Sequence, residues 1–488
     1  MSETDLLLPP PVEENIESDK WDFSTKAVAK EAKTLFSLSW PVTAANLFNF
    51  SITSASVFSL GHVGTEYLGA AALSLLLCNV TGLAISQGMA SALDTLCSQS
   101  FTGSNDRFAL GKHLQRGLFL ALVTCIPISV LWWFTEPVMI LLGQKPEVAR
   151  ISGIFSRWML PGLYPIFVAE CLRRYLQAQA IMKPAMLVTI VAAPLAIFLQ
   201  WFLVFSPYAI GFEGAALATS TVNIFIAVAL ALYIRFVEGS EVWGGWDLKE
   251  MLDGKLLFEY LCLGLPGVAM ICSEWLAFEA CSLAAGIIGE TALATQTIVL
   301  NTCGLLYMIP LGLGVATTTR IGNCLGSNLP FTTKKVAWTA MICSFFTAAF
   351  NATFIMSART SWGYLFSSDI DVIELVAAIL PLAAIYQISE STGVIAGSAL
   401  RGCGLQKYGA YLNLIGYYIL AIPLGLLLAF KFELGLLGLW IGLSLGLFFV
   451  GFCEIIILCY MDWPLQAANA LKRINYSYTP VDTEVTEP

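Results

Sequence analysis

The stretch WPVTAANLFNFSITSASVFSLGHVGTEYL at residues 40–68 returns 225 residues later as LPGVAMICSEWLAFEACSLAAGIIGETAL at 265–293. The two share Pro41/Pro266, Gly61/Gly286, Gly64/Gly289 and Leu68/Leu293. Other pairs follow at nearly the same offset: Gly88/Gly312, Leu141/Leu365, Val148/Val372, Gly211/Gly435, Gly214/Gly438 and Ser220/Ser444. Leu160-Pro161 with Glu170 recurs as Leu380-Pro381 with Glu390. Each match alone is weak, but a near-constant offset across five regions marks a chain built twice.

Composition says what the repeated unit is. Of 488 residues, 57% are hydrophobic and only 12% charged. A soluble domain is nearer ~25% charged, and so few charges cannot cover a protein of this size in water. The net charge of −9 argues against a phosphate-backbone partner, so no nucleic acid is expected. The chain reads as an all-α integral membrane protein.

A spanning helix needs ~20 mostly apolar residues. Twelve segments qualify: 35–58, 69–98, 114–135, 152–177, 185–207, 214–237, 257–285, 291–318, 336–357, 372–398, 409–431 and 436–461. With the N-terminus inside, the inner loops and tails hold 20 of the 25 Lys and Arg residues and the outer segments five. That asymmetry supports an even number of spans with both termini cytosolic. The predicted organisation is a tail (1–34), a six-helix bundle (35–237), a cytosolic linker (238–256), a second six-helix bundle (257–461) and a tail (462–488). Both polar tails are expected to be disordered or loosely attached, and no cleavable signal peptide is read at the start. The thirteen cysteines form no CxxC pair and avoid the outer loops, as packing residues do.

Equivalent spans of the two halves share orientation, so the repeat is parallel, with a pseudo-twofold axis along the membrane normal. Transporters use this arrangement to rock two halves around a site between them. Function belongs where the halves differ. Glu274 and Glu279 lie inside span 7, where span 1 has Asn49 and Ser54. A charged side chain at bilayer depth costs ~2.5–3.5 kcal/mol on insertion scales and usually faces a cavity. Glu274 and Phe278 share a helix face, and Glu279 lies about 140° round from Glu274. Glu390 in span 10 is the second acidic candidate. Its twin Glu170 is read as structural, paired at i, i+4 with Arg174, and Asp94 as a structural polar contact. Glu454 in span 12 completes the intramembrane carboxyls. Trp275, Phe278, Tyr307 and Tyr386 lie near these acids, and aromatic faces beside carboxylates suit flat organic cations.

Other classes lack their marks. There is no GxxxxGK[ST] run for an ATP-driven pump. There is no HExxH or Cys/His cluster, and His62 and His113 are the only histidines, so no metal is expected. Without a nucleophile constellation the chain does not read as an enzyme, and it carries no potassium-type filter.

Specific motifs then name a family. They are GHVGTEYLGAAAL (61–73), NVTGLAISQGMASALDTLCSQSFTG (79–103), LQRG (114–117), YLQAQ (175–179), GGW (244–246), SEWLAFE (273–279), ATTTRIGNCLG (316–326), SALRGCGLQKYGAYLN (398–413) and GLWIGL (438–443). Across residues 35–465 the chain resembles the eukaryotic multidrug and toxic compound extrusion (MATE) family, above all its fungal-type members. The resemblance implies two six-helix bundles in a V. It also implies a cation-coupled antiporter that exports organic compounds, with H+ as the coupling ion in most eukaryotic members and Na+ as the alternative, and no cofactor. Glu274 and Glu279 match the family's acidic span-7 motif, and Glu390 its span-10 acid. Animal relatives have a further Glu at the position of Asn301, so a third acidic step does not carry over.

The expected function is therefore export of organic, cationic compounds in exchange for protons, with Glu274, Glu279 and Glu390 as the coupling and binding acids. Asn49, Trp275, Phe278, Asn301, Tyr307 and Tyr386 are the expected cavity lining. The alternatives are export of an anionic or zwitterionic metabolite, or flipping of a lipid-linked substrate. A flippase usually lines its cavity with basic residues, and the span interiors here hold almost none. The expected partners are a small organic substrate and the lipid bilayer, with the protein a monomer. Glu3 with Leu7-Leu8 fits an acidic dileucine address to vacuoles or lysosomes, and the plasma membrane is the alternative.

Overall fold

The structure, a computed structural model, describes residues 19–63 and 65–476. The dileucine residues lie outside it. The backbone is almost wholly helical, as a chain in lipid must be to satisfy its own amides and carbonyls.

The N-lobe holds α1 (Thr25–Val63), α2 (Thr65–Cys78), α3 (Ile85–Gly103), α4 (Ala109–Trp133), α5 (Thr135–Leu141), α6 (Pro146–Ala178), α7 (Lys183–Phe205) and α8 (Phe212–Phe236). A π-helical turn, Asn79–Ala84, joins α2 and α3 into one span. After the linker helix α9 (Leu248–Met251) comes the C-lobe. It comprises α10 (Gly254–Ile288), α11 (Glu290–Gly326), α12 (Pro330–Ala358), α13 (Ile370–Gly402), α14 (Gln406–Leu414), α15 (Ile422–Leu426) and α16 (Gly435–Cys459). π-helical segments Ile415–Ala421 and Leu427–Lys431 make α14 and α15 one span. A last helix, α17 (Trp463–Tyr476), follows.

Among the described residues, ten helices are long and apolar enough to cross a membrane on length and composition. α1 and α6 are as long, at 39 and 33 residues, but more polar. Part of that polarity turns inward: Ser39, Ser56 and Ser59 of α1 and Ser152, Ser156 and Glu170 of α6 are buried. With them the fold has twelve spans in two lobes.

The halves interlock reciprocally. Leu35, Leu38 and Val42 of α1 join a core made mainly of α11, α12 and α13. Tyr260 and Leu263 of α10 join the N-lobe core. Both exchanges occur in the N-terminal halves of α1 and α10. A Cβ on Gly88 would strike the Val268 backbone, and one on Gly312 would strike Thr43. By the repeat these contacts are equivalents of each other.

Two expectations about the tails are corrected. Helix α1 begins ten residues before the expected span, at Thr25. Glu31 there pairs with Arg320 at 2.9 Å, and Asp19 accepts the Phe331 and Thr332 amides at 2.9 and 3.0 Å, capping α12. Residues 463–476 are not loose either. Trp463, Ala467, Ala470 and Ile474 recur at helical spacing and are buried, so α17 docks by one apolar face. The sequence suggests looseness because the rest of that helix is polar.

The linker is also pinned. Gln115 donates to the Gly245 carbonyl at 2.6 Å and accepts the Asp247 amide at 2.8 Å. Lys112 pairs with Glu250 at 2.6 Å. Tyr175 donates to the Gly239 carbonyl at 2.6 Å. LQRG and GGW are therefore partners in one contact, and YLQAQ holds the start of the same linker at Gly239.

Candidate functional site

The acidic site lies in the C-lobe. Glu390 is only 6% exposed and sits on α13. The Tyr386 hydroxyl, one turn earlier, donates to its Oε1 at 2.9 Å. Gln387 Nε2 donates to Oε2 at 2.5 Å and to the Cys303 carbonyl at 3.3 Å. Asn351 of α12 orients that amide, donating to Gln387 Oε1 at 2.9 Å and to the Leu306 carbonyl at 3.2 Å. Two donors of α13 itself thus meet the carboxyl, and groups of α11 and α12 hold one of them in place.

Aromatic rings wall this group. Phe278 stands edge-on to Tyr386 and to Tyr417, each at 6.3 Å between centroids. Tyr386 stands edge-on to Trp440 at 5.4 Å. The Trp440 indole donates to Gln296 at 2.8 Å. Tyr417 reaches the cluster from the π-helical segment of the eleventh span, where widened turns re-aim side chains.

Glu274 shares the α10 face of Phe278, as its spacing requires, and is partly buried. It lies within electrostatic reach of Glu390, Glu454 and Arg401. Tyr307 lies in the field of Glu274, Glu390 and Arg401. Five candidates, Glu274, Phe278, Tyr307, Tyr386 and Glu390, therefore come together. Trp275 and Glu279 are partly buried on other faces of α10. Asn301 lies on an exposed face of α11 and donates to the Thr297 carbonyl at 2.9 Å.

Asn49 belongs to a separate N-lobe cavity of about 100 Å³, which Asn79, Glu170, Thr219 and Asn223 also line. Its polar wall is tied by Gln200, which donates to Ser56 at 2.7 Å. Glu170 does not pair with Arg174 as the i, i+4 spacing suggests. It pairs with Arg173 at 2.7 Å, while Arg174 turns to Asp94 of α3 at 3.2 Å. A buried carboxylate across the helix interface outcompetes the local partner. The expected structural role of Asp94 is thereby given its partner.

Sequence reading missed Tyr417, Trp440 and Asn351. Asn351 leaves a signal, a lone amide in an apolar span. Tyr417 and Trp440 leave none, since tyrosine and tryptophan are common in membrane helices.

The lobes meet tightly beside this site, at the end that carries both termini. Thr95 of α3 donates to the Arg401 carbonyl at 2.6 Å, and Gln99 to that of Gly402 at 2.9 Å. Gln406 returns a bond to Thr95 at 2.8 Å, and Thr102 donates to the Asn323 carbonyl at 2.7 Å. Arg473 of α17 donates to Gln99 at 2.5 Å. The ATTTRIGNCLG and SALRGCGLQKYGAYLN motifs largely build this closure. Among the described residues no group of three or more His, Cys, Asp or Glu could hold a metal.

Two pseudo-symmetric helical lobes, closed at one end, with acids among aromatic rings inside one of them, define a membrane transporter. The chain belongs to the MatE family, whose model matches it twice, at residues 41–202 and 266–427, in the register of the internal repeat. It is 35% identical to an uncharacterised transporter of Schizosaccharomyces pombe, over 91% of this chain and 81% of that one. It is 33% identical to multidrug and toxin extrusion protein 2 of Mus musculus, over 94% of this chain and 81% of that one. Its fold superposes on the crystal structure of the eukaryotic MATE transporter AtDTX14 with a TM-score of 0.86 and 31% identity, covering 92% of this chain and all of that one. These relatives are transporters, not enzymes.

Proposed function

We propose that the protein exports organic cations in exchange for protons by alternating access, with Glu274 and Glu390 as the coupling acids. The carrying observation is the charge count in the C-lobe. Glu274 lies in the field of both Glu390 and Glu454, and Arg401 is the cation that acts on Glu274 and Glu454. In a low-dielectric interior such an excess of negative charge must be balanced. Protons and a cationic substrate are interchangeable ways to balance it, and that interchange is antiport. An anionic substrate, or a lipid-linked diphosphate, would add to the excess instead.

The aromatic wall of Phe278, Tyr386 and Tyr417 supplies faces for an organic cation. The closed end carries both termini and, by the loop charges, faces the cytosol. The site in this conformation would therefore release substrate to the opposite side, outward or into a vacuole or lysosome. The protein works as a monomer, since each lobe supplies the other's closing surface.

Efflux of a fluorescent organic cation from proteoliposomes under an imposed pH gradient tests this reading. The wild type should move the dye. Glu274→Gln and Glu390→Gln should each lower gradient-driven transport at least tenfold. Undiminished coupled transport in either variant would refute the assignment of that acid.

A further inference from the structure

Glu454 sits on α16, two spans away from Glu390 in sequence, and is 1% exposed. Its Oε1 has no hydrogen-bond partner in the structure. The space around that oxygen is left by two glycines on other helices. A Cβ on Gly397 of α13 would lie 3.1 Å from Oε1, and one on Gly409 of α14 would lie 3.7 Å away. Met270 of α10 packs on both glycines. Its own carbonyl is occupied, accepting from Asn413 at 3.1 Å.

The charged and titratable groups facing Glu454 come from three other elements. Glu274 faces it from α10, Arg401 from α13 and Tyr417 from the π-helical segment Ile415–Ala421. Arg401 donates to Ser398 at 2.7 Å and also acts on Asp94 of the N-lobe. It is one cation shared among several acids. An ionised carboxylate sealed with an unmatched oxygen costs several kcal/mol. A well-packed helix would not keep a glutamate there for structure alone, because a leucine would fill the same space without that cost.

We propose that Glu454 is a third proton-binding carboxyl of the C-lobe, packed against Gly397, Gly409 and Met270. The inference rests on the antiport reading for its physiological role, but not for its test. Its consequence is that the lobe loads protons at Glu274, Glu390 and Glu454 as an interacting set. Binding at one changes the field at the next, so the set titrates in macroscopic steps.

The test counts protons. Purified protein in lipid nanodiscs is titrated across the physiological pH range, wild type beside Glu454→Gln, with thermal unfolding run on both. The amide preserves shape, so the variant should fold. It should bind about one proton fewer per molecule than the wild type across that range. An equal proton count would overturn the proposal. If the glutamine variant does not fold, Glu454→Asp replaces it, and the proposal then requires the same proton number with a displaced midpoint. A curve superimposable on the wild type would overturn it. Gly397→Ala, which crowds the same oxygen, should displace the midpoint as well. Absence of pH-driven transport by the wild type would count against the antiport reading alone, since the proton count is made without transport.

Discussion

Gly88 of α3 lies directly on the backbone of Val268 of α10, with no room between them for a Cβ. The repeat reproduces this relationship on the other side of the pseudo-axis, where Gly312 lies on Thr43. The two contacts are seams between the lobes. Each is a place where one lobe admits the backbone of the other, and each needs a residue without a side chain.

Gly88→Leu or Gly312→Leu should therefore wedge the closed end open. Overpacking of this kind costs ~1–3 kcal/mol. Each lobe keeps its own core, so the variants should still insert. A disulfide between Thr95→Cys and Gln406→Cys, whose side chains touch in the closed state, should form several-fold more slowly in the leucine backgrounds. Equal crosslinking rates would mean that the seams do not govern closure.

The Tyr386–Glu390 bond should matter to transport more than to folding. Hydrogen bonds to charged groups contribute ~1.5–3 kcal/mol. Tyr386→Phe should lower transport ~10-fold or more, while lowering the thermal midpoint only by the few degrees that the lost bond accounts for. Asn351→Leu should act in the same direction, because Gln387 then loses the amide that orients it.

Asp94 and Arg174 form a buried pair at 3.2 Å. Removing one partner of such a pair typically costs ~3–5 kcal/mol, whereas replacing both with apolar groups is often neutral. Asp94→Ala should thus lower the thermal midpoint sharply, and Asp94→Leu with Arg174→Met should recover most of the loss. A double-mutant cycle on unfolding measures the difference.

Helix α17 bridges the lobes. Trp463 is buried on the C-lobe side, and Arg473 reaches Gln99 of α3. Trp463→Ala should destabilise the protein by ~3–5 kcal/mol. Arg473→Ala should instead speed exchange of backbone amides in α13 and α3 around Gly402 and Gln99, with little change in the unfolding midpoint. Hydrogen exchange read by mass spectrometry separates the two effects.

Much of this was legible beforehand, for physical reasons. Apolar length gives the spans, and the offset between Pro41 and Pro266 gives the two lobes, because both are written along the chain. Glu274 and Glu390 stand out because the bilayer makes any acid conspicuous. What stayed hidden depends on neighbours distant in sequence. Arg174 has a local partner at Glu170, and only packing sends it to Asp94. Tyr417 owes its place to a π-helical turn that no spacing rule announces. Trp463 and Ile474 look like fragments of a polar tail until their common face is seen. Glu454 was visible as an acid, but not the two glycines that leave its oxygen unmatched.

The central claim is that protons and substrate use the same negative charge in the C-lobe. It is tested most directly in proteoliposomes carrying a pH-sensitive dye and no imposed pH gradient. A gradient of an organic cation is then applied alone. The account predicts proton movement opposite to the substrate, lost together with substrate flux in Glu274→Gln. Substrate flux in the wild type without any proton movement, with sodium absent, would contradict it.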